Sequence, residues 1–158
     1  MSKPAQEDYK PQELTLEEFH TLTALASCLL PKRASGLAFW LSARFDSFLH
    51  QCRKEHWRLS ELPPDIKAIR AGLQLLNFDA LKLKGCPFPS LGISQREAIL
   101  KAIRREGNAH WPQFPAGKWF EDVVSISAEL IMSLPGRFIK AAYRVIPEKA
   151  SQQSEAMG

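Results

Sequence analysis

The chain has 158 residues, 45% of them apolar, with 21 basic against 17 acidic side chains and an isoelectric point near 9.1. That is enough for one two-layer core and too little for two independent ones, and no stretch approaches the ~20 apolar residues of a membrane span. The formal charge of +4 biases the surface toward acidic partners, but without the dense basic stripe of a nucleic-acid binder.

Residues 1–14 are mostly polar and include Pro4 and Pro11, so they read as a flexible N-terminal tail that orders only against something else. Their opening, MSKPAQEDYK, has no apolar run behind its lysines and does not read as a secretory or twin-arginine signal. The folded domain is expected over residues 15–146. Thr15 with Glu18 makes a capping box, and Leu16, Phe19, Leu22, Leu25, Ala26, Leu29 and Leu30 recur at helical spacing until Pro31 stops the helix.

A second helix is expected from Leu37 to Cys52, with an extension toward Trp57 left open. Leu37, Trp40, Leu41, Phe45, Phe48 and Leu49 form its apolar side, and Arg44, Asp46, Gln51 and Arg53 face outward. The ELPPD stretch lets Pro64 occupy a first helical turn, and residues 65–84 place Ile66, Ile69, Leu73, Leu76 and Leu83 at near-helical spacing. Gly72 inside that run costs ~1 kcal/mol against alanine, which points to a close helix contact.

KGCPFPSLG breaks the period as an irregular connection, with Phe88 and Leu91 plugging the core. Ser94 with Glu97 reads as another capping box, opening a helix that buries Ile93, Ala98, Ile99, Ala102 and Ile103 and ends at Gly107 and Asn108. NAHWPQFPAGKWFEDVV, residues 108–124, reads as a proline-kinked aromatic loop before helical periodicity resumes at Val123. A short last helix with Phe138, Ile139, Ala142 and Tyr143 follows Pro135 and Gly136, and residues 147–158 form a polar C-terminal tail. With no alternating strand pattern, the expectation is an all-α fold: a single compact orthogonal helical domain of about five or six helices.

The usual catalytic signatures are missing. His20, His50, His56 and His110 show no zinc-hydrolase spacing. For His50 and His56, near Glu55, a metal site stands beside the plainer reading of surface histidines. Cys28, Cys52 and Cys86 form no C-x-x-C pair and read as small buried apolar residues. There is no nucleophile elbow, phosphate loop, dinucleotide fingerprint or haem attachment motif. Glu121 and Asp122 form the acid pair beside aromatic residues, with helix-surface charge as the plain account. No catalytic, cofactor-binding or metal-binding residue is assigned, and the chain by itself is not expected to turn over a substrate.

Two features stand out. Lys32, Arg33, Arg44, Arg53, Lys54, Arg58, Lys67 and Arg70 outnumber the local acids, which suits a solvated face or, as an alternative function, a small helical nucleic-acid-binding or regulatory module. Trp111, Phe114, Trp119 and Phe120, with Lys118, are the candidate partner-binding residues, because rigid aromatic area anchors interfaces. Core filling and a ligand pocket are the competing readings of those rings.

Several blocks resemble one family in the right order. LTLEEFHTLTALASCLLP resembles its opening helix through Leu14, Thr15, Leu22, Leu25, Ala26, Leu29, Leu30 and Pro31. IRAGLQLLNFDA resembles its glycine-bearing helix through Arg70, Ala71, Gly72, Leu73 and Leu76. CPFPSLGISQREAILKAI matches through Phe88, Leu91, Ser94, Gln95, Ile99 and Leu100, and KWFEDVVSISAEL resembles the family's late helix, which begins with a Trp/Phe-Phe pair, through Trp119 and Phe120. Over roughly residues 14–135 the chain thus resembles the gluconate 2-dehydrogenase subunit 3 family, the small (gamma) subunits of flavin-dependent sugar dehydrogenases.

The resemblance implies no cofactor in this chain and FAD in a partner, a large subunit of the glucose-methanol-choline (GMC) type acting on a sugar or glucoside, as in a glucoside 3-dehydrogenase. A cytochrome c subunit is a further candidate component, whereas nucleic acid and direct membrane insertion are not expected. The chain's role would be that of a chaperone-like partner in a heterodimer. Many members bear a twin-arginine signal, so its absence from MSKPAQEDYK leaves three explanations: a signal removed, a signal on the partner, or a cytoplasmic complex. The first two place the chain in the periplasm.

Overall fold

A computed structural model of the chain describes residues 9–55 and 65–133, which form five α-helices and no extended strand. The helix α1 (Leu16–Leu29) begins at the predicted box: Glu18 N–H donates to Thr15 Oγ1 at 3.1 Å, and Thr15 N–H donates to Glu18 Oε1 at 2.9 Å. It stops before Pro31, whose ring cannot continue the backbone ladder. A 3-10 turn (Lys32–Leu37) then leads into α2 (Ala38–Glu55), so Leu37 belongs to the turn rather than to the helix. Trp57, His56, Arg58 and Pro64 lie outside the described residues, as do the expected last helix and the C-terminal tail.

Asp65 caps α3 (Ile66–Lys84) by accepting the Ala68 amide at 3.0 Å, and Gly85 closes it in the left-handed conformation. A turn at Phe88–Ser90 drops Phe88 and Leu91 into the core, as expected. The next helix, α4 (Ile93–Glu106), does not use the Ser94 and Glu97 box. Its N-cap is Gly92, whose N–H donates to Gln95 Oε1 at 3.1 Å, so the start lies two residues earlier than Ser94 as cap would set it. Accordingly Ile99, Leu100 and Ile103 are buried, whereas Ile93 and Ala98 face solvent. The last described helix, α5 (Ala116–Met132), starts well before Val123, because Pro115 is a compatible helix entry and the apolar period already runs through Trp119, Phe120 and Val123.

α1 lies at the centre, packed on α2, α3 and α4, and α5 closes over α2, α3 and α4. The main core joins Phe19, Leu22 and Leu25 to Phe45, Leu49, Leu73, Leu76, Phe88, Ile103 and Val123, and a smaller cluster ties Ala26, Leu30, Ala34, Ala38 and Leu41 to Ile131. Gly72 marks the crossing of α3 and α5: a Cβ there would overlap the indole of Trp119, whose Nε1–H donates to the Ile69 carbonyl at 3.1 Å. The close contact expected at Gly72 is therefore present, and no larger residue leaves room for the ring.

Residues 9–14 do not behave as the expected tail. Asp46, expected to face outward, is fully buried and accepts from Tyr9 Oη (2.8 Å) and from the backbone N–H groups of Gln12 (2.6 Å), Glu13 (2.9 Å) and Leu14 (2.8 Å). One carboxylate on α2 gathers four donors, and Tyr9 stacks against Phe19 and Phe39. This segment is strapped to the domain because a buried carboxylate needs such partners.

Candidate functional site

The aromatic segment is divided by the start of α5. Trp111, Trp119 and Phe120 are 5%, 3% and 7% exposed and belong to the core. Phe114 is half-buried, and Lys118 is exposed, its Nζ 3.1 Å from Asp122 Oδ2 one helical turn on. Trp111 packs edge-on against Trp119 at 5.5 Å between centroids and against Phe114 at 5.8 Å. A tight turn with Gln113 at φ 65° brings Trp111 and Phe114 together. Of the five sequence-selected residues, only Lys118 and an edge of Phe114 meet solvent.

Beneath that turn sits a polar clasp: His110, for which partner contact, local hydrogen bonding and loop packing are the readings in sequence, hydrogen-bonds to two helices. His110 Nε2 lies 2.8 Å from Asp79 Oδ2 on α3, and its Nδ1 lies 2.9 Å from Glu106 Oε2 on α4; Trp111 Nε1–H donates to the same Asp79 oxygen at 2.9 Å. Burial alone would lower the His110 pKa, but the two carboxylate hydrogen bonds outweigh it and hold the imidazole above its ordinary 6.5. Glu106 is correspondingly held below the usual carboxylate range, chiefly by its hydrogen bond to His110. With both ring nitrogens engaged, the histidine fastens the loop to two helices rather than offering a lone pair to a substrate.

The clasp closes one end of an open groove of about 620 Å³ between the second half of α3 and α4. Leu83 and Asp79 form one wall, Ser94, Ala98 and Ala102 the other, and Leu91 and Ile99 the floor. Leu83, expected to be buried, is 65% exposed, and Phe78 on the outer side of α3 is 61% exposed. Leu81 and Ile93 are also about half exposed, so large apolar side chains surround the end of α3 on several sides. A smaller groove of about 450 Å³ on the other side of α3 runs between Leu81, His20 and Pro87.

Another arrangement hidden from the sequence is the contact between α1 and α3. Glu18 is buried and accepts from Arg70 Nε at 2.9 Å and Gln74 Nε2 at 2.6 Å, beside Thr21 and Asn77, joined at 2.8 Å. Burial pushes its carboxyl pKa upward, but the Thr15 amide, Gln74 and Arg70 together hold it below 4.5. The capping-box spacing located Glu18; nothing local revealed its burial.

The basic set is partly neutralised: Arg70 pairs with Glu18, Arg53 with Glu13 at 2.9 Å, and Arg44 stacks on Trp40. His50 also meets Glu13, at 3.2 Å, and His20 is exposed. Among the described residues no three His, Cys, Asp or Glu side chains gather to hold a metal, and no helix is long and apolar enough to cross a membrane. None of Cys28, Cys52 and Cys86 is in a disulfide; Cys52 is buried as expected, Cys28 and Cys86 are only half-buried, and burial raises the Cys28 pKa above 9.0. Glu121 and Asp122 are exposed on α5.

A family model described as gluconate 2-dehydrogenase subunit 3 matches residues 16–148. The chain belongs to that family. No curated protein and no solved structure matches it. The gluconate 2-dehydrogenase subunit 3 match takes in all five described helices and continues past residue 135, where the resemblance read from individual blocks stopped. The family is one of dehydrogenase subunits, and the all-α domain is this subunit's framework.

Proposed function

We propose that this chain is the non-catalytic small subunit of an FAD-dependent sugar or glucoside dehydrogenase. It binds and stabilises a large GMC-type subunit that carries the FAD and the catalytic residues, and it assists that subunit's maturation or export. A cytochrome c subunit is the further component to which electrons would pass. The observation that carries the reading is the apolar surface around the end of α3, where Phe78, Leu81, Leu83 and Ile93 stay exposed in a subunit of a dehydrogenase family. Side chains of this size left in water by their own domain suit a second polypeptide.

The physical action is mass action: a subunit that binds the folded large chain and not the unfolded one stabilises it by RT ln(1 + [L]/Kd), about 4 kcal/mol at a thousandfold excess over Kd. Co-expression with the large subunit tests this. The two chains are expected to co-purify, with the large chain melting at a higher temperature than when it is produced alone. A large subunit that folds, loads flavin and resists heat equally well alone, with no affinity for this chain, would refute the proposal.

A further inference from the structure

We infer that the groove between α3 and α4 is where the large subunit docks, receiving an apolar segment flanked by acidic side chains; this rests on the reading of the chain as a small subunit. The groove has an apolar floor, Leu91 and Ile99, and small wall residues, Ala98 and Ala102, that let another backbone approach closely. Apolar side chains are exposed beyond it as well: Phe78 stands on the outer side of α3, and Leu81 lines the groove on its other side. A small ligand seated in the groove would leave that outer surface wet, whereas a chain laid across the end of α3 covers both.

Charge selects the kind of chain. Lys82 and Lys84 stand along the α3 side, and Lys101 follows Ala98 by one turn of α4; none of the three enters an ion pair among the described residues. Asp79 in the wall and Glu106 beyond it are both engaged by His110, and Glu97, beside Ala98 on α4, is outnumbered by the three lysines. The mouth is therefore positive, favouring acidic flanks on the occupant and raising its association rate. The same charge disfavours a second copy of this chain, because a two-fold contact would set lysines against lysines.

The test titrates purified variants of the full chain against the large subunit. Ala98→Glu and Leu83→Glu place a carboxylate on the apolar surface at exposed positions, and their unfolding midpoints are expected to match wild type. Both should weaken binding at least tenfold, whereas Met132→Glu, at an exposed apolar residue outside the groove, should change it less than twofold. The double variant Lys82→Glu/Lys84→Glu should slow association severalfold and flatten its salt dependence, a kinetic readout distinct from loss of apolar contact on the floor. If wild type binds and the groove variants bind equally well, the docking surface is wrong while the small-subunit reading stands. If wild type does not bind, that reading fails and the docking surface fails with it. A wild-type homodimer that Leu83→Glu dissociates would also overturn the inference.

Discussion

At Gly72 one hydrogen atom in place of a methyl sets the separation of two helices. The indole of Trp119 fills the space a side chain would need, and its hydrogen bond to the Ile69 carbonyl prevents the ring from swinging away. Gly72→Ala should therefore destabilise the isolated chain by about 2 kcal/mol despite alanine's better helix propensity, seen as a lower urea midpoint at unchanged slope. The glycine stood out in the sequence as an interruption of a helical pattern. Its partner did not, because the local pattern puts Trp119 in a loop and only the family resemblance puts it at the start of a helix. Thr15 and Glu18 were legible for the opposite reason: their bonds close within one turn, so spacing alone predicts them. Asp46 could not be read that way, since its donors lie 32 to 37 residues earlier in the chain.

For the elements, the N-terminal strap shows how a carboxylate organises a segment with no regular structure. Asp46→Asn keeps the shape but turns one acceptor into an NH₂ donor facing N–H and O–H groups. The variant should lose about 2 kcal/mol and expose the segment around Tyr9–Leu14 to limited proteolysis at protease levels that leave wild type intact. Among the described residues helix number and class were legible because apolar periodicity runs strongly through α3, α4 and α5 and a capping box marks α1. The boundaries of α4 and α5 were less so. Glycine can cap without a side chain, as Gly92 does, and a proline-bounded aromatic run looks like a loop until Pro115 is seen as a helix entry. That shift carries Trp119 and Phe120 inward, leaving the accessible candidate surface on α3 and α4.

Across the whole molecule a buried carboxylate and a half-buried histidine give stability opposite pH dependences. Glu18 is held below its ordinary pKa of 4.5, so its contribution is present above the unfolded value and disappears as pH falls through the folded value. His110 is held above its ordinary 6.5, so its contribution is complete below that and lost as pH rises through the folded value. Thermal unfolding of wild type, Glu18→Gln and His110→Ala across pH should separate them. The deficit of Glu18→Gln should shrink on acidification below pH 4.5, and that of His110→Ala should shrink on moving from pH 6 to alkaline conditions.

The wrapping of Glu18 also bears on the order of events at the ribosome. Arg70 and Gln74 lie 52 and 56 residues beyond it, so α1 and α2 emerge well before the groups that complete the environment of this carboxylate. Until α3 has left the exit tunnel that carboxylate stays hydrated, and the side of α1 that faces α3 lacks its polar partners. The polar contact between α1 and α3 is thus completed only once α3 has emerged, the stage at which the end of α3 also becomes available to another polypeptide.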